Sequence, residues 1–175
     1  MMEKQKGYVH VYTGDGKGKT TAALGVAIRA AGHGMKTYIA QFMKGMPYGE
    51  LTTLARIPQI TIQQYGGDCC IRKEEVTQSH IDQAKEGLRQ AQAAMLSGDY
   101  DIVVLDEINV AVWFGLLSVS EVMPLFALRP AHLELILTGR RAPREFLDQA
   151  DLITEAKSIR HYYDKGIQAR KGIEY

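Results

Sequence analysis

Nine consecutive residues, Thr13-Gly14-Asp15-Gly16-Lys17-Gly18-Lys19-Thr20-Thr21, combine the groups that a chain needs to hold a polyphosphate. Gly14, Gly16 and Gly18 let the backbone turn where a Cβ would be strained, so successive N–H groups can face one anion. Lys19 adds a point charge, and a helix beginning at Thr20 adds the positive end of its dipole. The hydroxyl of Thr20 or Thr21 can bind magnesium. The common phosphate-loop pattern G-x-x-x-x-G-K-[ST] needs its first glycine where Thr13 stands. Gly14 comes one residue late, which predicts an unusual pose of the nucleotide.

A second constellation closes the apolar run 101–105, D-I-V-V-L, with Asp106 and Glu107. At the carboxyl end of a buried parallel strand, one carboxylate can hold a phosphate-bound magnesium through water while the other touches the metal or orients a nucleophile. Arg140 follows another apolar run, 133–137, and its guanidinium can reach over to polyphosphate oxygens. Together these groups specify ATP or GTP with magnesium, and the absence of an N-K-x-D-like base-reading sequence favours ATP. The reaction stays open at this point. An ATP-hydrolysing switch or binding module, with Glu107 polarising water, and a small-molecule kinase would use the same cradle.

The elements that must position these groups alternate along the chain. Strands are expected at 8–12, 36–42, 60–65, 101–105, 133–137 and 151–155, and helices at 20–31, 74–97 and 143–149. Residues 43–50 read as a loop at the carboxyl end of the second strand, on the side of the phosphate cradle. In the 74–97 helix, Ile81, Ala84, Leu88, Ala91 and Met95 form one apolar stripe. Residues 108–127 look helical in two pieces, with Ser118 or Ser120 capping the second and Trp113 in the core. His33 reads as an exposed turn residue, and the tail 157–175 is rich in charge and tyrosine. This alternation predicts a three-layer α/β fold of the P-loop NTPase-like, RecA-like kind, with a mostly parallel sheet of five or six strands and one domain over 1–175.

The chain has 175 residues and a net charge of +1, from 21 basic and 20 acidic side chains. Such a balance calls for neither nucleic acid nor an acidic membrane surface and points to a small soluble ligand. Cys69 and Cys70 are adjacent, a spacing that suits neither a zinc knuckle nor a disulfide framework. With no signal-like or membrane-spanning run, a reducing cytoplasm is the expected setting.

The motifs taken in order resemble the ATP:corrinoid adenosyltransferases of the CobA, CobO and BtuR type. They are the phosphate loop with its following A-A-L-G, Gln41-Phe42-Met43-Lys44-Gly45, V-V-L-D-E at 103–107, Ala127-Leu128-Arg129-Pro130, Thr138-Gly139-Arg140 and the terminal Lys171-Gly172-Ile173-Glu174-Tyr175. The resemblance implies attack by the Co(I) of a reduced corrinoid on the 5′ carbon of ATP, with triphosphate leaving. It implies a reversed ATP along the loop, and metal-side roles for Thr20 and Glu107 with Asp106 close by. Lys17, Lys19 and Arg140 would stabilise the leaving charge. A homodimer and a reduced flavoprotein as electron donor are also implied. Some relatives carry glycine, phenylalanine, any residue, tryptophan in the loop that strips the lower cobalt ligand. This chain has Gly67-Asp68-Cys69-Cys70-Ile71 there. Either Cys69, Cys70 and Ile71 supply the apolar wall or another segment does; a direct cysteine–cobalt bond is the sharper alternative.

Overall fold

The computed structural model describes residues 5–67 and 72–175, and in it the apolar runs form six strands of one sheet. They are β1 (Val9–Thr13), β2 (Thr37–Phe42), β3 (Ile60–Tyr65), β4 (Ile102–Asp106), β5 (Glu134–Thr138) and β6 (Leu152–Glu155). The order across the sheet is β3-β2-β4-β5-β1-β6, and every neighbouring pair is parallel. The expected five or six strands are therefore six, and the sheet is parallel throughout.

Side chains alternate between the two faces of each strand, which is why the unbroken apolar runs are buried on both sides. Ile102 and Val104 of β4 and Ile136 of β5 join one cluster with Ala23, Ala27 and Ala30 of α1 (Lys19–Ala31). Val103, Leu105, Leu135 and Leu137 face the other way, toward Ala84, Leu88, Ala91 and Met95 of α3 (Gln78–Ser97). The alanines of α1 let that helix lie close on the sheet, so its first turn stands at the carboxyl edge.

Several boundaries differ from the pattern in the sequence. The stretch read as a loop at 43–50 runs into a short helix, α2 (Gly49–Leu54). The expected 74–97 helix begins instead as a 3-10 turn, Lys73–Glu75, and α3 starts at Gln78, where the Thr77 N–H donates to His80 Nδ1 at 3.1 Å. The 108–127 region forms three helices, α4 (Ile108–Trp113), α5 (Val119–Val122) and α6 (Pro124–Leu128), because Pro124 opens a helix of its own. Ser118 does cap α5, accepting from the Glu121 N–H at 3.2 Å. Trp113 is not core: it is 42 % exposed, with the Lys73 ammonium 5.0 Å and the Arg141 guanidinium 4.7 Å from its ring centre. Two cations on the indole compensate for its exposure. His33 is exposed, as expected. A last helix, α7 (Arg144–Gln149), precedes β6, and among the described residues no helix is long and apolar enough to cross a membrane.

Gly87 shows how tightly α3 sits. A Cβ there would come within 2.7 Å of the Tyr65 ring and 3.0 Å of Phe42. Helix propensity alone would favour alanine at this position, by up to about 1 kcal/mol. Overpacking outweighs that gain, so Gly87→Ala is expected to lower the unfolding free energy by about 1–3 kcal/mol, read from denaturant titration.

Candidate active site at the carboxyl edge of the sheet

The phosphate loop leaves β1 and enters α1 through two glycines in the left-handed region, Gly14 at φ 91° and Gly18 at φ 110°. Gly16 is needed for a different reason. A Cβ there would lie 2.8 Å from the Ala156 carbonyl oxygen, to which the Gly16 N–H donates at 2.6 Å. The loop is therefore braced against the segment after β6. Asp15 and Thr21 are exposed, and Lys17 points toward the tail, where its ammonium meets Glu174 Oε1 at 2.6 Å.

Lys19 turns back over the loop and donates to the Gly16 carbonyl. Burial lowers the pKa of its ammonium; Glu107 and Asp15 oppose this, while the charge of Arg140 pushes the same way. Two cations that repel each other across a cavity make a place where an anion is stabilised.

Asp106 is fully buried, and four donors from four segments converge on it. Thr20 Oγ1 and Thr138 Oγ1 donate to Oδ1 at 2.9 and 2.7 Å. Gln41 Nε2 and Lys44 Nζ donate to Oδ2 at 3.1 and 2.9 Å. Burial alone would lower the pKa of Lys44, but the charge and hydrogen bond of Asp106, with Glu107 and Glu50, raise it overall. Lys44 stays charged as the counter-ion.

Glu107 comes next in the left-handed conformation, φ 62°, with its N–H donating to Thr138 Oγ1 at 2.9 Å. Burial is the first cause that raises its carboxyl pKa and the Asp106 charge the second, against Lys44, Lys19 and Arg140. Met43 and Arg141 also have positive φ, at 58° and 57°. All three lie just beyond the carboxyl ends of β2, β4 and β5, so strained backbone gathers at one edge.

These groups face a cavity of about 840 Å³. Lys19, Thr20, Glu107 and Arg140 line its polar part; Leu24 and Ile28 extend it along α1, and residues 172–175 close it from the tail. The structure thus brings together Lys17, Gly18, Lys19, Thr20, Thr21, Glu107 and Arg140 around one cavity, with Asp106 behind Thr20. Cys69, Cys70 and Ile71 lie outside the described residues. Sequence reasoning missed Gln41, Lys44 and Thr138 as partners of Asp106. Their signals were membership of the motifs at 41–45 and 138–140 and position, each at or just past a strand's carboxyl end.

A magnesium ion fits this donor set. The Thr20 hydroxyl spends its proton on Asp106 and keeps its lone pairs, and Glu107 adds a carboxylate on the same cavity. Asp106, already engaged by four donors, supports Thr20.

Residues 5–175 match the protein family described as ATP:corrinoid adenosyltransferase BtuR/CobO/CobP. The corrinoid adenosyltransferase CobA of Salmonella typhimurium is 36 % identical over 176 residues, covering 99 % of this chain and 88 % of that protein. The corrinoid adenosyltransferase of Pseudomonas aeruginosa is 34 % identical over 172 residues, with 98 % and 85 % covered. That of Escherichia coli is 34 % identical over 174 residues, with 99 % and 88 % covered. With the loop, the acidic strand end and the terminal segment all inside a match of this length, the chain belongs to the ATP:corrinoid adenosyltransferase family.

Proposed function

We propose that the chain transfers the 5′-deoxyadenosyl group of ATP to the Co(I) centre of a reduced corrinoid and releases triphosphate. The observation that supports this best is the cavity in which Lys19 and Arg140 share one anion site beside Thr20 and Glu107, within a family match over residues 5–175. A cobalt–carbon bond forms as the bond from C5′ to the α-phosphate oxygen breaks, and that electron pair leaves with the triphosphate. Co(I) is itself the nucleophile, so the chain needs neither a nucleophilic side chain nor a base to make one. Its tasks are alignment of C5′ with cobalt and stabilisation of charge growing on the leaving group.

Lys19, Arg140 and the N–H groups at the start of α1 serve the second task, being fixed before the reaction begins. Magnesium, when bound, would neutralise phosphate charge; it commonly takes one or two protein groups plus phosphate oxygens and water, which suits Thr20 and Glu107. Asp106 orients Thr20 and holds Lys44. The resemblance further supports a corrinoid-side loop at 67–71, where either Cys69, Cys70 and Ile71 or another segment supplies the apolar wall, with a reduced flavoprotein as the donor that makes Co(I) and a homodimer; the adjacent cysteines and the lack of a signal-like run support a cytoplasmic setting.

The reaction is tested anaerobically with ATP, magnesium and chemically reduced cob(I)alamin. Adenosylcobalamin and inorganic triphosphate are expected in equal amounts; ADP with orthophosphate would instead assign Glu107 to water activation and refute the transfer. Lys19→Ala is expected to lower the rate on the order of 100–1,000-fold with an unchanged circular dichroism spectrum.

Glu107 gives a prediction of opposite sign for stability and for binding. Its folded pKa is raised above 4.5, so the unfolded chain releases that proton first. Below the unfolded value the residue contributes nothing; as pH rises through the folded value, its ionised form costs stability. Glu107→Gln is expected to melt at a higher temperature than the parent at neutral pH, with the gain vanishing near about pH 4. Magnesium-dependent ATP affinity should fall on the order of tenfold in the same variant, read by calorimetry.

A further inference from the structure

Lys17 lies in the phosphate loop, yet its partners are at the other end of the chain. Its ammonium donates to Glu174 Oε1 at 2.6 Å, to the Tyr162 hydroxyl at 2.9 Å and to the Ile173 carbonyl at 3.2 Å. The Glu174 carboxylate is saturated in turn. It accepts from the Tyr162 hydroxyl, from the Arg170 N–H at 2.7 Å and from the Arg170 guanidinium at 3.3 Å. The Arg170 guanidinium also lies 4.8 Å from the Tyr162 ring centre. Lys17 is the first cause holding the Glu174 carboxyl well below the usual carboxylate range, and Glu174 is the first cause raising Lys17.

The tail is thereby attached to the loop twice. At its start, the Ala156 carbonyl accepts from Gly16; at its end, Glu174 takes Lys17. Between these attachments the chain runs over the cavity, and His161, Gly172, Ile173, Glu174 and Tyr175 form part of its wall. Apolar burial cannot be what holds this segment down, since Ile159 is 95 % exposed, Tyr163 66 % and Ile173 58 %. Charge-assisted hydrogen bonds remain, and those of Lys17 to Glu174, Tyr162 and Ile173 join tail to loop, with Glu174 the charged partner among them.

We infer that Lys17 and Glu174 form a clasp that fastens the C-terminal segment as one wall of the nucleotide cavity, so that Lys17 is a positioning residue for the tail and not a phosphate ligand. The inference deepens the proposed function and rests on it for the identity of the nucleotide. It differs from a direct phosphate role in one measurable respect. A residue that acts only by holding the tail has little left to lose once Glu174, its charged partner there, is gone, so the two deletions must add to less than their sum.

The test compares the full chain with Lys17→Met, Glu174→Ala and the double variant, by ATP calorimetry and by trypsin cleavage at Lys165, Arg170 and Lys171 without nucleotide. Each single variant is expected to bind ATP about tenfold more weakly, and the double variant no more weakly than about tenfold. Cleavage of the tail should be about tenfold faster in all three than in the parent, because proteolysis tracks the open fraction. A double variant about a hundredfold weaker would overturn the clasp and return Lys17 to the phosphates. So would tail cleavage at the parent's rate in either single variant. A parent chain that bound no ATP would strike the proposed function alone, and the trypsin comparison would still decide the clasp.

Discussion

The carboxylate of Asp106 is the interaction on which the rest of the site depends. A buried charge is tolerated only when it is paired and its lone pairs are filled. Here the donors come from the first turn of α1, from the ends of β2 and β5 and from the loop after β2. β1 and β4 are not neighbours, since β5 lies between them, so Thr20 reaching Asp106 is a link that the sheet's own ladder does not supply. One acid thus sets the distance between the phosphate loop and the acidic strand end. Its neighbour Glu107 is left to face the cavity.

The electrostatics around that anchor are unbalanced on the cavity side. Lys44 is committed to Asp106 and Lys17 to Glu174, whereas Lys19 and Arg140 repel each other. Glu107 resists ionisation in the same surroundings. An anion together with a divalent cation would relieve both tensions at once. Met43, Glu107 and Arg141 hold left-handed backbone at this edge, and such strain persists where surrounding structure over-determines it.

The tail supplies one wall of the site. β6 is an outer strand with no buried residue, and the segment after it is held by polar contacts at Gly16 and Lys17. Weak apolar anchoring and strong charged anchoring make a wall whose position depends on the loop that it covers.

The sheet and its central helices were legible in the sequence because burial on both faces leaves an uninterrupted apolar run. Residues 60–65 coincide with β3, and 20–31 lies within α1. The glycine loop and Asp106-Glu107 were legible because their chemistry is local. The pieces of 108–127 and the exposure of Trp113 were not, since an apolar residue at a helix end can be buried by packing or covered by cations from elsewhere. The pairings of Asp106 with Gln41, Lys44 and Thr138 span 65, 62 and 32 residues, and that of Lys17 with Glu174 spans 157. By itself the sequence determined the two-sided burial of the central strands and which residue types can do chemistry, since periodicity and side-chain type are properties of short stretches. Only the tertiary structure decided which charges meet, because strand order and the path of the tail set distances that no local pattern encodes.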